Sequence, residues 1–438
     1  MERAGTDGPS WAGGYHVVVS SRLMPGARPP RKARARHLVL AGLNYSPRRG
    51  TGDKNFWSAL VPRIADEIDR ITIVSVRDEE TRREVARIDG CEIEVRYVAP
   101  AVLRAPGPGE LRRRPIGWRR GSYPRLLGFL DKQLLVRRVA NEIAGILEPG
   151  GEATVHLMDN FGPANRWIAR LADRHAARMG VTALGYDRRG GPLYDQFIRL
   201  SYVMPRLRLV PVSRRLERRL SELGVRAQAM TRIPWGVVPG LATTDVERCA
   251  ARSALGLSTQ RPLFMWAGFI QQIREPDFRL ALGVAKEALR RGLDATFAFA
   301  FKPETFRPEY AALHQPEAGI HVLATHVDAF TALRGATDAL FSPIASRDCI
   351  VAPPLTWIEL MAMGRPVLST DVPGADELVE HGRTGYLAHN DEELVAGLFS
   401  LRDASSAMAD ACRAKVADEY NLEDIGRRYV HFWFEEAV

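Results

Sequence analysis

The chain has 438 residues, 46% hydrophobic and 26% charged, with a net charge of +9 at pH 7. That length allows two domains with sizeable cores, and the composition excludes a disordered or fibrous protein. There is no apolar run of about 18 residues, so no membrane-spanning helix is expected. The four cysteines (Cys91, Cys249, Cys349, Cys412) are scattered and form no CxxC pair, which argues against structural zinc and for a reducing, cytoplasmic setting.

The positive charge is concentrated in two places. Residues 1–36 carry seven Lys/Arg against two acids, and residues 104–138 carry ten against two, which leaves −4 for the remainder. Nucleic-acid binding by the main fold is therefore not indicated. The first segment, ending RPPRKARAR, lacks an apolar core with a cleavage site and reads as a flexible basic tail, not a secretory signal. The second interleaves arginine with Trp118, Tyr123 and Phe129. It reads either as a surface for an anionic acceptor or acidic membrane, or as a solvated connection into a helix. Charge runs are usually solvated faces, which favours the second reading.

In chain order, HLVLAGL (37–43) reads as a strand, followed by the loop NYSPRRGTGDKN and a helix running through Trp57 to Ile68. RITIVSV (70–76), EIEVRYV (92–98), ATVHLM (153–158), TALGY (182–186) and RLVPVS (208–213) are further strands, with amphipathic stretches between several of them. The stretch TRIPWGVVPGLATTDVERCAARSALGL has no strong apolar period and reads as a linker. A second series follows: PLFMWAGF (262–269), ATFAFAF (295–301), IHVLA (320–324), DALFSPI (338–344), PVLSTD (366–371) and GYLA (385–388). Strands separated by helices imply parallel sheets with right-handed crossovers, so the expected fold is α/β with two Rossmann-like domains joined near residue 240.

Ligands of such sheets sit beyond the carboxyl ends of the strands, which singles out three loops. GTGDKN (50–55) holds Gly50 and Gly52, which allow close backbone approach, but lacks the third glycine and the spacing of a dinucleotide fingerprint. The loop after Gly268 carries Arg274 just before a helix expected from about Pro276, where a guanidinium and a helix N-terminus can share a phosphate. An ordinary surface arginine is the competing reading. In PPLTWIELMAMG, Thr356-Trp357-Ile358-Glu359 fits a capping box, with Thr356 as N-cap and Glu359 at N3. The threonine cap alone would contribute ~1 kcal/mol, a complete structural account of Glu359.

The wider pattern adds a functional account. GRPVLSTDVPGADELVEHGRTGYLAHNDEELVAGL (364–398) resembles the donor-binding half of retaining GT-B glycosyltransferases, especially the family-four group (glycosyl transferases group 1). The matching positions are Glu359, Gly364, Pro366, Val367, Gly374, Glu377, Gly382 and Gly385. VPVSRRLERRLSELGV with RIPWGV (210–237) resembles the Ser-containing strand end and linker of that family, and FMWAGFIQQIR its phosphate loop. NLEDIGRRYVHFWFEEAV resembles its final helix, which crosses back to the first domain. The resemblance runs from about residue 205 to the end and is only architectural before that.

The resemblance implies a GT-B fold: a tail at 1–36, an acceptor-side domain at 37–238, a nucleotide-sugar-binding domain at 239–415, and a returning helix at 416–438. It implies a cytoplasmic, metal-independent, retaining glycosyltransferase that uses a UDP- or GDP-linked sugar as co-substrate and no cofactor. No Asp-x-Asp occurs in the chain, in keeping with metal independence. Glu359 would hold the donor ribose, with Pro354, Leu355 and Thr356 beside it at the helix start. Arg274 and Lys302 would stabilise the departing diphosphate, Gly268 would border it, and Gly52 would close over the donor.

Three departures are visible. The family carries two Glu seven residues apart, yet counting back from Glu359 reaches Val351, so the nearest acid, Asp348, is expected to replace the missing one after a short insertion. Phe269 stands where an Arg is common, and Met158 where many members have His. Asp159 and Asn160 are then candidates for the sugar or acceptor side, or else turn residues ending a strand. Rival readings are a nucleotide-sugar epimerase or hydrolase of the same fold, and a non-catalytic nucleotide-sugar-binding protein.

Overall fold

In a computed structural model, the structure describes residues 36–43, 53–76, 83–98, 125–147, 153–158, 165–175, 177–183, 204, 206–240, 243–268, 275–303, 306–346 and 352–435. The first domain is built on β1 (His37–Leu43), β2 (Arg70–Val76), β3 (Arg83–Ile88), β4 (Cys91–Val98), β5 (Ala153–Leu157), β6 (Arg178–Ala183) and β7 (Leu207–Pro211). Their order among the described residues is β3-β4-β2-β1-β5-β6-β7, parallel except for the antiparallel β3–β4 pair. Helices α1 (Asp53–Leu60), α2 (Arg125–Ile146), α3 (Asn165–Arg174) and α4 (Arg214–Glu222) accompany the sheet.

The second domain carries β8 (Leu263–Gly268), β9 (Thr296–Phe301), β10 (Ile320–Ala324), β11 (Ala339–Phe341), β12 (Val367–Thr370) and β13 (Gly385–Ala388). All are parallel, in the order β10-β9-β8-β11-β12-β13 among the described residues. Around them lie α5 (Asp245–Ala254), α6 (Glu275–Arg290), α7 (Val327–Ala336), α8 (Leu355–Ala362), α9 (Asp391–Arg402) and α10 (Ser406–Glu419), and α11 (Leu422–Phe434) follows. Two parallel Rossmann-like sheets are the expected fold.

Both sheets are covered on both faces, which is why their strands read as continuous apolar runs. In β1, Val39 and Ala41 enter one core layer, while Leu38 and Leu40 enter the other. In β9 the alternation is one of size. Phe297, Phe299 and Phe301 share an aromatic layer with Trp266, Phe278 and Tyr310, and Ala298 and Ala300 admit the layer opposite.

Three local expectations are corrected. The first helix stops at Leu60, and the chain continues in two 3-10 turns, Val61–Arg63 and Ala65–Glu67, because Pro62 cannot donate to the helical ladder. β3 went unread because it is a charged edge strand (REVARI) whose Val85 is 60% exposed. The expected linker contains α5, opened by a capping box in which Thr244 accepts from Glu247 N and the Glu247 carboxylate accepts from Thr244 N.

The two domains are tied in three ways. Outbound and returning segments pair, with Val237 N donating to Tyr420 O and Leu422 N to Val237 O, both at 2.9 Å. Trp235, in the same segment, packs against the cores of both domains. Helix α11 then buries Ile425, Tyr429, Phe432 and Trp433 in one core layer of the first sheet. The third tie is electrostatic. Glu377, in a 3-10 turn whose N-cap Gly374 has φ 94, places its two carboxylate oxygens on the amides of Arg214 and Arg215, each at 2.8 Å. Ser213 Oγ accepts from Leu216 N, so the first three amides of α4 are satisfied, two of them by the other domain.

His156 on β5 is fully buried among Trp57, Tyr429, Phe432 and Trp433, and burial lowers its pKa to about 3. His37 is lowered to about 4, first by burial and then by Arg70. Both are therefore neutral in the folded state near pH 7.

Two outcomes are expected. Glu377→Ala should lower stability by about 1–3 kcal/mol, the scale for losing hydrogen bonds to a charged group. An unchanged urea midpoint would show that the tie contributes nothing. Because unfolded histidine binds its proton near pH 6.5, the stability held by neutral His156 is complete above that pH and declines as pH falls towards 3. The slope is about 1.4 kcal/mol per pH unit per group. His156→Asn should flatten that slope, and an equally steep profile would contradict the assignment.

Candidate active site

Each sheet reverses its strand order once, and a ligand crevice opens beyond the carboxyl ends of the strands at that point. In the second sheet the reversal lies between β8 and β11. In the first it lies between β1 and β5. The loops holding Arg274 and Asp348 leave β8 and β11, and those holding Gly52 and of Asp159 and Asn160 leave β1 and β5. These five residues lie outside the described residues; topology places the strands that lead into them.

The loop after β11 is pinned on two sides. Asp277, buried in the first turn of α6, accepts from Ala345 N at 2.7 Å. Thr370, at the end of β12, accepts from Ile344 N at 2.9 Å and donates to Ile344 O at 2.8 Å. Ser369 Oγ donates to Ser342 O at 2.8 Å. The chain therefore leaves the reversal in a fixed direction before it turns into α8.

At α8 the capping expectation fails. Pro354 is the N-cap (φ −59, ψ 141) with no side-chain cap, which puts Leu355 at N1, Thr356 at N2 and Glu359 at N5. Pro354 has no amide hydrogen for a reciprocal bond, so a capping box is impossible there. Glu359 pairs instead with Arg334 from the last turn of α7, at 2.6 Å, with side chains 14% and 9% exposed. Ala352, just before the two prolines, belongs to a core cluster of the first domain. The entry to α8 therefore stands at the domain boundary.

Gly268 ends β8, and a Cβ there would lie 2.3 Å from the Trp266 indole. Packing alone demands glycine, and the same absence of a side chain bares the strand end. Lys302 follows β9 and is half-buried. Met158 is buried in the core, its amide donating to Ala41 O at 2.8 Å, which makes it a packing residue. Among the described residues no group of three His, Cys, Asp or Glu side chains forms a metal cluster, and no helix is long and apolar enough to cross a membrane.

Sequence reading missed Arg334, Asp277 and Thr370. The last two flank β8 and β12, but nothing local marks a carboxylate or hydroxyl that bonds a distant loop. Arg334 precedes Glu359 by a whole strand and loop, so only the fold brings them together.

Residues 261–403 match the family described as glycosyl transferases group 1. A D-inositol 3-phosphate glycosyltransferase of Rhodococcus jostii is 25% identical over 412 residues, which cover 85% of this chain and 83% of that protein. The enzyme of that name from Nocardia farcinica is 28% identical over 193 residues, covering 42% of this chain and only 39% of the relative's own length. Anabaena HepE, solved in complex with UDP, has a TM-score of 0.63 at 14% identity, covering 90% of this chain and 99% of that one. Sucrose-phosphate synthase from Thermosynechococcus elongatus has a TM-score of 0.63 at 15% identity, with 91% and 98% covered. At such identities the structural likeness shows the fold, which is GT-B. The resemblance to group 1 glycosyltransferases holds over residues 261–403, within the second domain, and the chain spans well under half the length of the Nocardia relative it matches.

Asp277→Ala should free the loop after β11. Amide exchange across residues 342–346 is expected to quicken roughly tenfold, the effect of losing about 1.4 kcal/mol of hydrogen bonding to a charged group. Exchange at the wild-type rate would show that Asp277 does not anchor the loop.

Proposed function

We propose, from the match of residues 261–403 to group 1 glycosyltransferases, that the chain moves a sugar from a nucleotide-diphosphate donor to an acceptor hydroxyl with retention of configuration. The observation that carries the reading is the family match over residues 261–403, with Glu359 on the helix that leaves the sheet reversal. The donor is UDP- or GDP-linked, and UDP is favoured because Anabaena HepE has been solved with UDP and with UDP-glucose.

In this reading Glu359 holds the ribose hydroxyls, and the backbone at Pro354, Leu355 and Thr356 lines the nucleotide beside it. Arg274, Lys302 and the amides opening α6 receive the diphosphate, and Gly268 leaves room for it. Asp348 contacts the sugar in place of the acid absent at Val351. Asp159 and Asn160 face the acceptor, and the loop at Gly52 covers the donor. The bond between the anomeric carbon and the β-phosphate oxygen breaks as the acceptor oxygen bonds to that carbon on the same face. The acceptor proton passes to the departing phosphate oxygen. Arginine, lysine and helix amides stabilise the charge that develops there without a metal.

A cytoplasmic location accompanies the proposal, since Cys91, Cys249 and Cys412 are free thiols.

UDP or GDP should raise the melting temperature, because a ligand that binds only the folded state stabilises it by ~2.7 kcal/mol at a hundred times its Kd. Glu359→Gln should weaken that binding roughly tenfold or more. Nucleotide release from a UDP- or GDP-sugar should require an acceptor. The absence of any shift with UDP, GDP, ADP or TDP would overturn the proposal, and steady acceptor-free turnover would replace it with an epimerase or hydrolase.

A further inference from the structure

The Arg334–Glu359 pair joins the two helices on either side of β11, the strand at the sheet reversal. Both side chains are largely withdrawn from water, and the Arg334 guanidinium also lies 5.6 Å from the centroid of the Phe330 ring, one turn earlier in α7. A buried ion pair adds little net stability over apolar residues of the same volume, because removing two charges from water offsets their attraction. Stability alone is therefore a weak reason for a charged pair at this place. Removing one partner is a different matter, since it leaves the other charge uncompensated.

We propose that Arg334 is a positioning residue for donor recognition. It holds the Glu359 carboxylate in one orientation, so that the site distinguishes nucleotides with a complete ribose from those without its hydroxyls. The proposal rests on the reading of Glu359 as the ribose ligand. A carboxylate offers about four lone-pair sites on two oxygens, so one arginine leaves capacity for two hydroxyl donors. Without the arginine, a carboxylate this buried is left without its partner and would turn towards water. That change removes the acceptor that both hydroxyls need. Arg334 touches no reacting atom; its effect passes through Glu359.

The test compares UDP and GDP with their 2′,3′-dideoxy analogues by calorimetry, on the full chain and on Glu359→Gln, Arg334→Met and Arg334→Lys. Near-UV circular dichroism confirms the fold of each. In the wild type, removing the hydroxyls should weaken binding of the preferred nucleotide roughly tenfold or more, as expected of bonds to a charged acceptor. Arg334→Met should bring that ratio close to one, as Glu359→Gln does, whereas Arg334→Lys, which keeps a cation, should retain part of it. A purely structural arginine would lower the melting temperature and leave the ratio of the folded fraction intact. A wild-type ratio in Arg334→Met, or equal loss in the Met and Lys variants, overturns the proposal alone. A ratio of one in the wild type overturns the ribose reading of Glu359 and the proposal with it.

Discussion

A parallel sheet covered by helices on both faces leaves ligands one kind of place to bind, the gap where successive crossovers go to opposite sides. That constraint organises this chain. β8 and β11 open the gap in the second sheet, and β1 and β5 open it in the first. The residues put forward for donor or acceptor follow these strands in the chain, end one of them (Gly268), stand at or on the start of α8 just beyond β11, or, for Lys302, follow the neighbouring β9. In the proposed reading the chemistry lies just beyond the strand ends, and the sheets determine where those ends stand.

Loops need a second level of order, and the structure supplies it with polar side chains that reach from neighbouring elements. Asp277 and Thr370 clamp residues 344–345 from either side of the reversal. Arg334 fixes Glu359. Glu377 reaches across to the first turn of α4, where its carboxylate meets two backbone amides. The last contact joins two of the segments that carried the family resemblance, the Ser213 strand end and the Gly374–Glu377 turn, which are more than 160 residues apart. Since Trp235 and α11 tie the same two domains at another point, the relation between the crevices is set by several contacts of different chemistry.

Much of the fold was legible because it is written in short-range pattern. Runs such as RITIVSV and TFAFAF are apolar on both faces, and strands buried on both sides have to be. What was not legible depends on partners distant in sequence. The pattern Thr-x-x-Glu occurs at 244–247 and at 356–359, but only the first is a capping box. At the second, Pro354 starts the helix two residues early and has no amide to offer. Local pattern assigned Glu359 a cap; tertiary structure assigned it an arginine. The family resemblance pointed to its importance but not to that partner. β3 escaped for the opposite reason, since an edge strand needs few apolar residues and has few. Arg274, Asp348, Gly52, Asp159 and Asn160 lie outside the described residues, in stretches where the sequence departs from the family pattern or matches it least, so their proposed roles rest on the strands that precede them.

The account's central claim is that the reversal in the second sheet holds a nucleotide diphosphate with its ribose on Glu359. A crystal structure of the chain with UDP or GDP tests it most directly. The account predicts the diphosphate at the opening of α6, the ribose hydroxyls within about 3 Å of Glu359, and Arg334 still paired to the same carboxylate. A nucleotide bound elsewhere, or a ribose turned away from Glu359, would contradict it.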